Sequence, residues 1–423
     1  MPVRRTTLRG VSSAAVLAVA AVLLSATGAV AAVATTGDAL PLSPTDQSVS
    51  DRLDLRSVAS QLGTDLSGLV TDAETGQVVW AGSEVERQIP ASTVKLLTGV
   101  NALATFGPDH HFPTRAMTGT TPRRVVLVGG GDPSLSRADL RRLARATAVS
   151  VLAQGVPRVR VDVDDSLFPS PTLARGWKAT YLTRDVSPVR ALVVDGHRRL
   201  DTSLDAGRVF AELLERQGVQ VRAVARRTRP AESTLIAETY GDDLATQVAF
   251  MLRTSDNDMA EVLHRMVAVQ TGLPATWEGA AQAQVAVLTT LGITITPGSV
   301  HDGSGLSRAD RLSPAEVVAV LSRAHDPAYP QLASLRSGAL AVAGETGTLG
   351  PAYLRYRSGP TSCARGLIEA KTGSLSGVIA LSGHAVGADG RVKLFSFLLN
   401  QVPSTLTTRR AVDKLAATVT GCW

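Results

Sequence analysis

The segment PASTVKLLTG, Pro90 to Gly99, places a serine and a lysine three residues apart at the start of a helix, with Val94, Leu97, Asn101 and Ala104 recurring at helical spacing behind them. Residues three apart share a helix face, so the Lys95 amine comes within reach of the Ser92 hydroxyl. The lysine is informative because, of 43 Lys plus Arg, five are lysine: Lys95, Lys178, Lys371, Lys393 and Lys414. Arginine cannot be deprotonated in a protein, whereas a buried lysine can lose its proton. A lysine kept in so arginine-rich a chain marks a candidate site for a neutral amine or a compact ammonium.

Two further short motifs follow in order, Ser255-Asp256-Asn257 and Lys371-Thr372-Gly373, and two of the five lysines therefore fall within the three motifs. Each motif alone is weak, but the ordered set is that of serine acyl-transferring enzymes that use lysine as the base. A serine hydroxyl is a poor nucleophile until a neighbouring base takes its proton. Lys95 can do so only when neutral, which asks for a pKa roughly 3 units below its ordinary value. Burial and a second cation are the two physical means, and Lys371 is the expected cation as well as a binder of a substrate carboxylate. Ser255 is placed to relay a proton to the leaving amine, and Asn257 to hold the substrate backbone. Thr372, Gly373 and Ser374 extend the substrate-binding strand, with the backbone N–H groups of Ser92 and Ser374 as the expected oxyanion hole.

The N-terminus sets the compartment. Arg4, Arg5 and Arg9 precede an apolar run from Val11 to about Ala34, a signal peptide or membrane anchor over residues 1–35, so the protein is expected outside the cytoplasmic membrane, secreted or anchored to its outer face. Residues 36–50 are polar and contain proline, and read as a flexible linker. In an oxidising compartment the two cysteines, Cys363 and Cys422, are expected to form a disulfide closing a loop of 59 residues, since 422 − 363 = 59. The net charge of +6 suits an anionic surface or polymer, but aromatic residues make up only 4%, which argues against a stacking platform for nucleic acid.

At 423 residues two domains are expected. Residues 51–105 read as the first segment of a catalytic domain, with a hairpin over Leu66 to Gly82 feeding the Ser92 helix. Residues 106–194 read as a small inserted α/β domain, because strand, helix and strand patterns follow one another there. Residues 195–423 return to the catalytic domain, with two helices broken at TSDN and two strand-like runs near the C-terminus. GGGDPSL lacks either phosphate-loop spacing and reads as a tight glycine turn. The seven histidines show no metal-ligand pattern, and neither a metal nor a cofactor is expected.

The stretches PASTVKL, GGGDPSL, DDSLF, TSDNDMAE, DGSGLSRADRLSP, AGETGTL and AKTGSLSGV resemble, in order, those of the D-alanyl-D-alanine carboxypeptidase and endopeptidase family of the penicillin-binding protein 4 type. The resemblance covers about residues 50 to 420. It implies a mixed α/β (α+β) serine D,D-peptidase domain with a central antiparallel sheet flanked by helices, plus inserted structure between the first two motifs. It further implies hydrolysis of peptidoglycan stem peptides or cross-links through an acyl-enzyme on Ser92, with β-lactams as covalent inhibitors. The spacing of 163 residues from Ser92 to Ser255, 255 − 92, leaves room for one inserted domain. A β-lactamase or esterase of the same fold is the nearest alternative, but none of Glu261, Glu278, Glu316, Glu345 and Glu369 has the asparagine four residues on that the class A pattern supplies. A non-catalytic wall-binding homologue is disfavoured by the intact motif residues.

Overall fold

A computed structural model describes residues 41–59, 62 and 65–423; the apolar run expected to be a signal or anchor lies outside the described residues. Helix α1 (Pro44–Ser57) leads into the hairpin β1 (Leu66–Asp72) and β2 (Val78–Gly82), and a 3-10 turn at Ala91–Thr93 continues as α2 (Val94–Phe106). There follow β3 (Pro113–Thr118), β4 (Arg124–Val128), α3 (Arg137–Ala153), β5 (Arg158–Asp164), α4 (Thr202–Glu215), β6 (Gln220–Arg226) and β7 (Leu235–Tyr240). The remaining elements are α5 (Leu244–Thr254), α6 (Asn257–Gln270), α7 (Trp277–Thr290), α8 (Pro314–His325), β8 (Ala341–Val342), β9 (Ile368–Leu375), β10 (Val378–Val386), β11 (Val392–Asn400) and α9 (Leu406–Val419).

Six strands form an antiparallel sheet in the order β2-β1-β11-β10-β9-β8, drawing its two ends from opposite ends of the chain. Helix α8 packs on β11 and β1, and α9 on β10, so this is the expected central antiparallel sheet flanked by helices. Helix α2 is buried from Val94 through Leu103, as a helix apolar nearly all round must be. Gly99 weakens it locally. It also lets α5 approach, since a Cβ there would stand 3.1 Å from Val248 Cγ1.

The expected linker ends early. Ser43 accepts a hydrogen bond from the Asp46 N–H at 3.0 Å and Pro44 occupies the first turn, so α1 starts inside the segment assigned to residues 36–50. Polar composition hid a capped helix. Its buried Val49 and Leu53 join a core cluster with the sheet, and Trp80 Nε1 donates to Asp54 at 2.8 Å. A further tie is Lys393 of β11, whose Nζ reaches Asp46 at 2.6 Å, Asp72 at 3.1 Å and Asp389 at 3.1 Å, all four groups largely out of water.

The inserted domain is larger than residues 106–194. Its five-stranded sheet has the order β6-β5-β4-β3-β7 and runs on to Tyr240. Strands β4, β5 and β6 are parallel, which requires two crossover helices, and α4 is the second of them. The first strand, helix and strand give no local sign that a second crossover returns to the same sheet. At the C-terminus the run GLIEAKTGSLSGVIALSGHAV is two strands, β9 and β10, turned at Gly377 with φ +78°. Cys363 and Cys422 form the expected disulfide, with Cα atoms 6.1 Å apart, fastening the segment after α9 to the loop before β9.

Candidate active site

Ser92 sits on the 3-10 turn that opens α2, one residue after Ala91, which is buried with φ +48°. A left-handed conformation at a residue with a Cβ costs about 1–3 kcal/mol and persists where the surroundings over-determine it. Two glycines press on this turn. A Cβ on Gly305 would meet the Ala91 carbonyl oxygen at 1.9 Å, and one on Gly373 of β9 would meet the Pro90 carbonyl oxygen at 2.8 Å. The Lys-Thr-Gly strand therefore lies against the turn that carries the serine.

Lys95 is fully buried and its Nζ has three neighbours: Asn257 Oδ1 at 2.7 Å, the Ser304 carbonyl oxygen at 2.7 Å and Ser92 Oγ at 3.2 Å. The first two can only accept. The Asn257 orientation follows from its other end, where Nδ2 donates to the Asp185 carbonyl at 2.8 Å. A neutral amine has two N–H bonds for those two acceptors and one lone pair left, and Ser92 Oγ, which can donate, is the partner remaining. Burial lowers the Lys95 pKa to about 8, against the opposing charges of Glu261, Asp302, Asp256 and Asp258.

Lys371 is the second cation expected at this site. Itself fully buried, it is pushed well below its ordinary value by burial first, then by Lys95 and Arg355. Burial, not a second positive charge, is the main cause of the lowered Lys95 pKa. Lys371 Nζ donates to the Thr372 carbonyl at 2.8 Å, and Thr372 Oγ1 to Thr348 Oγ1 at 2.9 Å, while Ser374 two residues on is exposed.

Ser255 caps α5 in the left-handed conformation, φ +63°, on the turn between α5 and α6. Its hydroxyl makes no hydrogen bond among the described residues, so the structure joins Ser92, Lys95 and Asn257 directly but not Ser255. Asp256 has a structural task, accepting from the Met259 N–H at 2.8 Å as the N-cap of α6.

Sequence reasoning missed the loop beneath the lysine. Glu261 of α6 accepts the N–H groups of Gly303 at 2.9 Å and Ser304 at 2.8 Å, which aims the Ser304 carbonyl at Lys95. Asp302 accepts from Gly305 N, Ser307 N and Trp177 Nε1, each at 2.7 Å, and fixes the same loop. The signal was visible as a buried-looking glutamate on the helix after the SDN turn and a Gly- and Ser-rich DGSGLS run, but nothing local shows that they meet.

The chain is similar to known proteins. The family model of the D-Ala-D-Ala carboxypeptidase 3 (S13) family matches residues 49–200 and 196–419. A carboxypeptidase of Mycobacterium tuberculosis is 34% identical over 380 residues, covering 84% of this chain and 80% of its own. Carboxypeptidase DacB of Mycolicibacterium smegmatis is 35% identical over 379 residues with the same coverage, 84% and 80%. In fold, the crystal structure of penicillin binding protein 4 from Haemophilus influenzae superposes with a TM-score of 0.74 at 20% identity, covering 86% of this chain and 97% of that one. With the serine, lysine and asparagine of the first two motifs in contact and the third motif packed on the nucleophile's turn, the chain belongs to the D-Ala-D-Ala carboxypeptidase 3 (S13) family of serine D,D-peptidases.

Proposed function

We propose that Ser92 is the nucleophile, Lys95 its general base and Asn257 the clamp of a D,D-peptidase that hydrolyses the D-Ala-D-Ala bond of peptidoglycan stem peptides or cross-links outside the cytoplasmic membrane. The observation that carries this reading is the Lys95 amine, whose two shorter contacts are acceptors and whose third is Ser92 Oγ. Ser92 Oγ bonds to the carbonyl carbon of the penultimate D-alanine as its proton passes to Lys95 Nζ. The C–N bond then breaks, and the proton leaves Lys95 through Ser255 for the departing amine. Water next attacks the ester while Lys95 takes its proton and returns one to Ser92 Oγ, which releases the acid. The N–H groups of Ser92 and Ser374 receive the oxyanion in both steps, and Lys371, Thr372 and Gly373 line the strand along which the substrate lies.

A β-lactam presents the same kind of acyl carbon to Ser92 and is expected to stop at the ester. Export by residues 1–35, cleaved or kept as an anchor, belongs to the same reading, and no helix among the described residues is long and apolar enough to cross a membrane. The test is release of D-alanine from a synthetic peptide ending in D-Ala-D-Ala. Wild-type protein is expected to release it and Ser92→Ala to release none; equal release by both would end the assignment.

A further inference from the structure

The inserted sheet carries a row of arginines that the peptidase site does not use. Helices α3 and α4 cover one face, where Val125, Leu127, Val159, Val161 and Val163 are buried. On the other face the register sets Arg124 of β4 opposite Arg160 of β5. The bulge between the pairs Val159–Val221 and Val161–Val224 then brings Arg222 of β6 beside Arg160. Arg123 and Arg158 complete the charged lining of an open cavity of about 510 Å³, whose walls hold neither a carboxylate nor an aromatic ring.

Arg124 is paired with Asp162 at 2.9 Å and Arg158 donates to Gln220 at 3.0 Å, but among the described residues Arg123, Arg160 and Arg222 have no ion pair or hydrogen bond from their side chains. Like charges set opposite each other weaken a sheet, so this row costs stability that an external anion would restore. Strands lie about 4.8 Å apart, so a row three strands wide spans roughly 10 Å, the reach of several linked anions rather than one. Guanidinium forks take phosphate and carboxylate in the same bidentate way. Without aromatic rings the cavity has no means of stacking bases.

We propose that this face binds a linear polyanion that carries no bases and has regularly spaced phosphate or carboxylate oxyanions, laid along the Arg124–Arg160–Arg222 row. The test is titration of the purified full chain at low salt with inorganic polyphosphate and, separately, polygalacturonate. At least one is expected to bind, more weakly as salt rises, and the tighter of the two names the anion. Arg160→Gln with Arg222→Gln is expected to weaken that binding at least about tenfold, with an unfolding midpoint no lower than wild type. Arg141→Gln with Arg145→Gln, the same charge removed from α3 on the covered side, is expected to leave it within about twofold. Equal losses in the two double variants would assign the effect to net charge and overturn the proposal. So would binding to neither polymer, or tighter binding of single-stranded DNA than of both.

Discussion

The lowered pKa of Lys95 makes the acylation rate a function of pH whose direction and size can be worked out in advance. A base acts in its neutral form, so the rate rises with pH until the amine is fully deprotonated. With a pKa of about 8, close to one molecule in ten carries neutral Lys95 at pH 7 and close to nine in ten at pH 9. The rate constant for acylation by a chromogenic β-lactam is therefore expected to increase about tenfold over that interval, whereas an ordinary exposed lysine would still be mostly protonated at pH 9. Stopped-flow absorbance at saturating protein reads it directly, and Lys95→Arg supplies the control because a guanidinium cannot accept the proton. The reasoning is refuted by a profile that is flat between pH 7 and pH 9, by one that falls, or by substantial acylation of Lys95→Arg.

Gly305→Ala is expected to leave a folded protein that acylates poorly, because its Cβ would strike the Ala91 carbonyl and move the turn that carries Ser92; circular dichroism beside acylation kinetics separates the two effects. Lys393→Met leaves the buried Asp46 carboxylate without its cation, while Asp72 keeps Arg391 at 2.7 Å, and breaking a buried pair in this way costs about 3–5 kcal/mol, to be read from urea unfolding. An unchanged urea midpoint would show that the Lys393 ion pairs add nothing to the hold of α1 on the sheet. Cys363→Ser with Cys422→Ser opens a loop of 59 residues, for which chain entropy sets an upper stability loss of about 4 kcal/mol by the same assay.

The chemistry was legible in the sequence where short spacing sets geometry. Ser92 and Lys95 are one helical turn apart, and Ser255 with Asn257 stand on a turn between two amphipathic helices, so local periodicity was enough. The disulfide was legible because two cysteines in a chain read as exported have one pairing. What escaped depends on contacts between distant segments. Sequence carries no measure of burial, so it does not show that Lys371 is fully buried with its pKa lowered well below the ordinary value. Glu261 and Asp302 shape the loop under Lys95 from positions 41 residues apart, since 302 − 261 = 41, and no spacing rule links them.

The fold shows the same division. Hairpin β1–β2, helix α2 and the pair α5–α6 follow their patterns, whereas α1 was concealed by polar composition and α7 and α9 were not anticipated. The end of the inserted domain is set by the strand order of its sheet, with β7 returning beside β3, a tertiary fact that leaves no mark at residue 194.

The central claim is that Ser92 forms the covalent acyl-enzyme, and intact mass after adding benzylpenicillin, followed by peptide mapping, tests it most directly. The account predicts a persistent adduct of one penicillin on the peptide containing Ser92, absent in Ser92→Ala. An adduct on another residue, none at all, or one that forms equally in Ser92→Ala would contradict it.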